Sequence, residues 1–308
     1  MRGRGSDDVT EERDQAPRRP ELPYISVVIP VRNGEPWLVK QLAALEAQTY
    51  QGQWEVLAVD NGSRDHSRQI LGSWREHLPL RVVDAPDRAG INVARNAGCE
   101  QAKGELIAFC DADDVAAPHW LTALVAAAQR FDLVGGRLDE EHLNLGYGSA
   151  LRPRLPADRL PMGLGFLPFA LGANFAVWRD VLDRVGVFDE AFILGNDDVE
   201  FSFRAQLRGF RLGYAPDAVV AYRHREGSRE LFRQFRSYGR SEPLLFKCYG
   251  AHGMPPTPFG QVLRRWARLV LFAPSVFASP ERRGAWLVSA GFSLGRLEGA
   301  VRNRVLYL

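Results

Sequence analysis

The chain has 308 residues, 46% of them hydrophobic and 25% charged, with a formal net charge of +2. That length holds one large or two small domains around a sizeable core, and the near-neutral balance argues against a general nucleic-acid binder. Cys99, Cys110 and Cys248 are too few and too widely spaced for a disulfide framework or a zinc site, which points to a reducing compartment.

Residues 1–23 mix Arg, Asp, Glu, Gly and Pro with almost no large apolar side chains, so a disordered tail is expected there. They lack the basic-then-apolar pattern of a signal peptide, and no later run reaches membrane-spanning length, so a cytoplasmic location is expected. Tyr24 to Pro30 is a β-branched strand stopped by proline, and Val31 to Glu35 a turn. Trp37, Leu38, Leu42 and Leu45 recur at helical spacing. The unit repeats: a strand from Trp54 to Val59 with a helix to about Trp74, then a strand from Leu80 to Val83 with a helix from about Ile91 to Gln101. A strand over 105–110, a helix over 118–131 and a strand from Leu133 to Gly136 follow. Such alternation predicts an α/β fold with a mostly parallel sheet flanked by helices, whose ligands bind at the C-terminal strand ends. Asn33, Asp60, the loop before Asn92 and the acids after Cys110 all fall at such ends.

Those acids carry the chemistry. Asp111, Asp113 and Asp114 place three carboxylates within four residues, where they repel each other. Mg²⁺ or Mn²⁺, hard and oxygen-seeking, explains their company; a solvated turn that caps the next helix explains it equally well on these residues alone.

Residues 137–171 are rich in Gly, Pro and Leu and read as a functional loop. Asn174 to Val177 restores a strand, and a short helix covers 179–185. Asn196-Asp197-Asp198-Val199-Glu200 opens a helix, where acids favour the dipole and capping alone could account for them. Arg211 to Tyr214 and Ala218 to Arg223 read as two strands. A helix from Arg229 to Lys247 carries Arg233, Arg236 and Arg240, a face for a diphosphate, a membrane surface or solvent. From Gln261 to Leu308 eight arginines stand against two glutamates, with apolar runs at 269–273 and 285–288. Two arrangements fit this region: interfacial helices making peripheral membrane contact, or a helical appendage packed on the domain.

Four segments, Ile25 to Gly34, Val59 to Asp65, Ala94 to Gly98 and Phe109 to Asp114, occur in the order seen in family 2 glycosyltransferases. Gly172-Ala173-Asn174, Gly186 to Glu190 and the Asp197 to Glu200 helix start match that family as well, so the chain resembles it over about 25–225. The resemblance implies a GT-A fold, with a nucleotide-sugar-binding half at 24–136, an acceptor half at 137–250 and a basic helical region at 251–308. It implies a donor site of Pro30, Val31, Asn33, Asp60, Asn61, Arg95, Asp111 and Asp113, with the last two forming the Asp-x-Asp motif. A metal, Mg²⁺ or Mn²⁺, would be held by Asp113, Asp111 and His224, and the general base would be Asp198 or its neighbour Asp197. The implied activity is an inverting, metal-dependent, hexosyltransferase-type transfer from a nucleotide-sugar donor to a glycan, glycolipid or small-molecule acceptor, in cell-envelope synthesis at the inner face of the cell membrane. Sugar transfer needs charge neutralised on the departing diphosphate and a separate base for the acceptor hydroxyl, and two acidic clusters supply both. The competing readings are a GT-A scaffold without catalysis in a membrane assembly, and a nucleotidyltransferase. For the latter, Asn33-Gly34-Glu35 is a poor phosphate loop.

Overall fold

A computed structural model of the chain describes residues 19–86, 88–144 and 154–308. Strand β1 (Ile25–Val31), helix α1 (Leu38–Glu46), β2 (Trp54–Asp60), α2 (Ser67–Ser73), β3 (Leu80–Asp84), α3 (Ile91–Gln101) and β4 (Leu106–Cys110) follow the expected alternation. Next come β5 (Val115–Ala116), α4 (Trp120–Ala128), β6 (Leu133–Asp139), the hairpin β7 (Met162–Gly163) and β8 (Leu167–Pro168), β9 (Asn174–Trp178), α5 (Arg179–Val185), α6 (Asp197–Leu207) and β10 (Leu212–Ala221). Helices α7 (Ser228–Tyr249), α8 (Phe259–Leu271) and α9 (Pro280–Asn303) end the chain.

The main sheet runs β3-β2-β1-β4-β9-β6-β10-β5. β1, β2, β3 and β4 are parallel, and Ile25 pairs with both Trp54 and Leu106. β9 is antiparallel to both its neighbours, β4 and β6. No helix lies between β6 and β9 in the described chain, and without a helical crossover the returning strand enters in the opposite sense. The two strands expected at 211–214 and 218–223 form one, β10, whose register shifts between Ala215 and Val219. Pro216 has no N–H to give the ladder, so the strand stays continuous but irregular there.

β1, β2 and β4 are buried almost throughout, as central strands covered on both faces must be. Phe109, Phe175, Phe188 and Phe201 join β4, β9 and the α5–α6 segment into one aromatic core, with Phe109 and Phe175 stacked at 5.4 Å. Asn174, fully buried at the start of β9, accepts from Trp120 Nε1 (2.8 Å) and donates to the Arg137 and Ala218 carbonyls. Cys99 and Cys110 are buried and Cys248 is exposed, all three as free thiols.

Residues 19–23 differ from the expected tail, whose first 18 residues lie outside the described ones. Arg19 lies 4.4 Å from the centre of the Trp178 ring and pairs with Asp180 at 2.7 Å, and Tyr50 donates its hydroxyl to the Pro23 carbonyl. Composition cannot reveal partners so distant in sequence. Of the 137–171 loop, 145–153 also lies outside the described residues.

At the C-terminal end, α7 and α9 pack closely along Gly291, Gly295 and Gly299. A Cβ on Gly291 would stand 2.9 Å from the Phe232 carbonyl oxygen, and one on Gly295 or Gly299 would collide with the Arg236 or Arg240 carbonyl. Arg236 and Arg240 both pair with Glu298, while Arg233 pairs with Glu230 within its own helix. The basic face expected on this helix is thus neutralised inside the fold. Among the described residues no helix is long and apolar enough to cross a membrane.

Gly295→Val should lower stability by about 1–3 kcal/mol through overpacking at a backbone contact, whereas Ser289→Ala on the exposed side of the same helix should change little. Thermal unfolding of both variants checks this, and equal melting of Gly295→Val and wild type would show that the helices can part without cost.

Candidate active site

A cleft of about 370 Å³ opens at the C-terminal ends of β1 and β4. Of the eight residues expected at a donor site, Pro30, Val31, Asn33, Asn61, Asp111 and Asp113 line it. Arg32, Gly34, Trp37, Gly90, Ile91, Ala94, Ala112 and Arg225 complete the lining. The loops that shape the cleft are sewn together. Asn33, at φ 54°, accepts through its Oδ1 from the Arg64 N–H (2.8 Å), and its own N–H donates to Ser63 Oγ. Asn61 accepts from the Gly90 N–H at the start of α3 and donates to the Arg88 carbonyl. Asp60 sits behind the wall, buried, accepting from the Ser63 N–H and from Arg68 Nε. Burial opposes its charge, but the Ser63 hydrogen bonds and the Arg68 guanidinium hold it below the usual carboxylate range.

The acidic turn after β4 is pinned from two elements. Gln41 of α1 donates to the Asp111 carbonyl and accepts from the Ala116 N–H, and Arg223 after β10 donates from Nε to the Asp113 carbonyl and from its backbone N–H to Asp114 Oδ1. Oxygens of Asp111, Asp113 and Asp114 all lie within 4.8 Å of one another. Asp114 does not cap the next helix, since α4 begins at Trp120, preceded by His119, with no side-chain cap. Its Oδ2 is buried and has no hydrogen-bond partner among the described residues. Burial, with the charge of Asp111, pushes the Asp113 carboxyl up to about 6, and burial with Asp111 and Asp113 pushes Asp114 up to about 9. An orphaned carboxylate oxygen in a group of three carboxylates is a hard, all-oxygen donor set that suits Mg²⁺ or Mn²⁺, so these residues fit the expected cation. His224 stands outside this trio of carboxylates: its Nε2 lies 3.5 Å from Glu140 Oε1, and its ring meets Tyr222 edge-on.

The second acidic group begins α6. Asn196 holds a left-handed φ of 63° and donates to the Tyr238 carbonyl and Ser241 Oγ of α7, so it ties two helices together and makes no side-chain cap. Asp197 is buried and ion-paired with Arg95 of α3, whose Nη2 lies 3.6 Å from Asp111 Oδ1. Burial pushes the Asp197 carboxyl up to about 7 against the pull of Arg95, with Asp198 adding to the rise. Asp198 is half-buried and accepts from the Gly172 N–H (2.9 Å) and from its neighbour Val199 (2.8 Å). Burial raises its pKa too, against the hydrogen bond from Gly172 and the charge of Arg95. Gly172 is a meeting point, because a Cβ there would stand 2.5 Å from Arg95 Nη2. Arg95, expected at the donor site, is absent from the cleft lining and lies buried between both acidic groups.

Sequence reasoning missed Trp37 and Arg225 as cleft residues. Trp37 reads as the apolar start of α1, yet it precedes the helix and is partly exposed, with the Arg223 guanidinium 5.9 Å from its ring centre. Arg223 and Arg225 flank His224 at the end of β10; that alternation is a signal the lone histidine drew attention away from.

A mostly parallel sheet with an acidic turn at the end of its fourth strand and a second acidic helix start facing it defines a GT-A glycosyltransferase. Residues 26–186, more than half of the chain, match the Glycosyl transferase family 2 profile. The glycosyltransferase AglE of Haloferax volcanii is 32% identical over 221 residues, covering 70% of this chain and 72% of its own. The pre-mycofactocin glycosyltransferase of Mycobacterium tuberculosis is 28% identical over 96% of this chain, which spans 58% of that protein's length. Among solved structures, the mannosyltransferase PcManGT of Pyrobaculum calidifontis, in complex with GDP-Man and Mn²⁺, superposes with a TM-score of 0.60 at 20% identity over 90% of this chain and 87% of its own. The chain belongs to glycosyltransferase family 2 and is a nucleotide-sugar glycosyltransferase.

Removing Arg95 strands a buried carboxylate. Arg95→Met should destabilise by about 3 kcal/mol, the lower end for a broken buried pair because Asp197 can take up a proton. Protonated in the folded state but ionised in the unfolded one, Asp197 would then make stability fall as pH rises from the ordinary carboxylate range through neutrality. Denaturant melts at acidic and alkaline pH should therefore show a deficit that grows with pH, and adding Asp197→Asn should remove that pH dependence. A deficit independent of pH would mean that Arg95 stabilises by packing alone.

Proposed function

We propose that the protein is an inverting, divalent-cation-dependent hexosyltransferase that moves a sugar from a nucleotide diphosphate donor to an acceptor hydroxyl, and that it serves cell-envelope or surface glycan synthesis at the inner face of the membrane. The observation that carries this reading is the division of labour between two acidic groups. Asp111, Asp113 and Asp114 stand together at the cleft, while Asp198 stands apart, half-buried, beside an Asp197 already matched to Arg95. A glycan, glycolipid or small-molecule acceptor fits equally at this level of chemistry.

In this mechanism the donor nucleotide lies along Pro30 to Asn33 and Asn61, with Ile91 and the N-terminus of α3 towards its diphosphate. Asp111, Asp113 and Asp114 would hold Mg²⁺ or Mn²⁺, which supplies Lewis-acid neutralisation of the departing diphosphate. The GDP-Man and Mn²⁺ in PcManGT support that assignment. Asp198 takes the proton of the acceptor hydroxyl as its oxygen bonds to the anomeric carbon. The bond from that carbon to the diphosphate breaks on the opposite side, so one displacement inverts the configuration and releases the nucleoside diphosphate. Asp197, ion-paired with Arg95, is already matched and leaves Asp198 as the base. The hydrogen bonds from Gly172 and Val199 aim the Asp198 carboxylate.

A panel of UDP-, GDP- and dTDP-sugars tested with and without Mn²⁺ should reveal one donor that binds in a metal-dependent way. Asp113→Asn should weaken that binding by about tenfold or more, while Asp198→Asn should bind the donor normally and lose about 10²–10⁴-fold in turnover. Since burial raises Asp198, the acid limb of the wild-type kcat/KM profile should lie above the ordinary carboxylate range, activity rising as the base ionises. If no donor binds under either condition, the transfer reading fails.

A further inference from the structure

The clearest unexplained surface lies on α8, away from the cleft. Phe259, Leu263 and Val270 project from this helix at 79%, 61% and 74% exposure, and Leu271, Phe272 and Phe277 continue the apolar surface into the following turn. One flank of this stripe is occupied: Val262 and Leu269 are buried, and Trp286 of α9 donates its indole N–H to the Leu269 carbonyl. At about 100° per residue, Phe259, Val270 and Leu263 share one side of the helix, Leu271 closes the stripe, and Arg264 and Arg268 follow directly beside it. From Phe259 to Arg283 the chain carries five arginines and one glutamate. Among the described residues Arg264, Arg268, Arg282 and Arg283 form no ion pair. That contrasts with Arg236, Arg240 and Arg296, each matched to a glutamate on the facing helix.

We propose that α8 and the turn after it are the docking surface for an anionic lipid bilayer, with Phe259, Leu263 and Val270 entering the acyl boundary and Arg264 and Arg268 meeting the headgroups. A contiguous apolar patch of this kind marks an interaction site, and its flanking cations select the partner. A second copy of the same face would set Arg264 and Arg268 against their own equivalents, like charge on like. A bilayer accepts an apolar stripe without shape matching, and its negative surface potential draws the arginines. The sequence left open whether this region packs on the domain or lies on a membrane. The structure divides the roles, with α9 packing on α7 and α8 exposing its stripe. The proposal does not rest on sugar transfer, because vesicle binding is read without donor or acceptor.

The test is co-sedimentation of the full chain with phosphatidylcholine vesicles, alone or containing phosphatidylglycerol, at low and high salt. Wild type should partition onto the anionic vesicles at least about tenfold more strongly than onto neutral ones, and high salt should weaken it. Phe259→Ser/Leu263→Ser/Val270→Ser and, separately, Arg264→Glu/Arg268→Glu should each reduce partitioning by about tenfold or more with thermal unfolding unchanged. If the serine variant misfolds, the charge variant and the salt dependence decide the matter. Equal binding to both vesicle types, no binding at all, or variants that bind like wild type would overturn the proposal. So would a concentration-dependent dimer in sedimentation velocity that the serine variant abolishes, which would assign the face to a second copy.

Discussion

Arg95 is a buried cation placed where three parts of the chain meet. It leaves α3, pairs with Asp197 at the head of α6, approaches Asp111 in the turn after β4, and lies under Gly172 ahead of β9. Its guanidinium sits 5.4 Å from the centre of the Phe188 ring, so the aromatic core forms one wall of its pocket. A planar, always charged side chain with a rigid fork of donors can face two carboxylates in different directions, which a lysine could not do. Without that cation the two acidic groups would repel across a poorly solvated gap. With it, the acidic turn and the head of α6 are held in one electrostatic unit.

The sheet explains why such a junction exists at all. β9, antiparallel between β4 and β6, separates β1 to β4 from β6 and β10, and its Asn174 stitches both sides through Trp120, Arg137 and Ala218. The residues just ahead of β9 therefore arrive at the C-terminal end of β4, beside the acidic turn. Gly172 can then give its N–H to Asp198 while leaving room for Arg95. Fold and site share the same strand insertion.

Much of this was legible in the residues. The alternation from Tyr24 to Gly136 fixes period and element order, and α3 and α5 begin and end where periodicity places them. The expectation of clustered polar groups at strand ends also follows from topology alone. Three things did not follow. The direction of β9 goes with the absence of a crossover helix among the described residues before it, and short strands carry no sign of their sense. Asn33 and Asp60 read as ligand groups, yet Asn33 bonds to Arg64 and Asp60 to Ser63 and Arg68, because side-chain pairing across separate loops leaves no local trace. Arginines look alike in sequence: Arg236 and Arg240 are neutralised by Glu298, sixty or so residues away, while Arg264 and Arg268 keep their charge for the surface.

The placement of the three thiols has a consequence for the chain's chemical reactivity. Cys99 and Cys110 are enclosed, and burial pushes Cys99 up to about 12 and Cys110 well above its ordinary value, so neither offers a thiolate to an electrophile near neutral pH. Cys248, exposed near the end of α7, stands where a reagent can reach it. A maleimide dye added to the native protein would thus mark a single position by exposure alone, next to the connection that leads into α8. The fold has left one chemically addressable point, and it lies within a short stretch of chain of the helix whose surroundings would be worth watching.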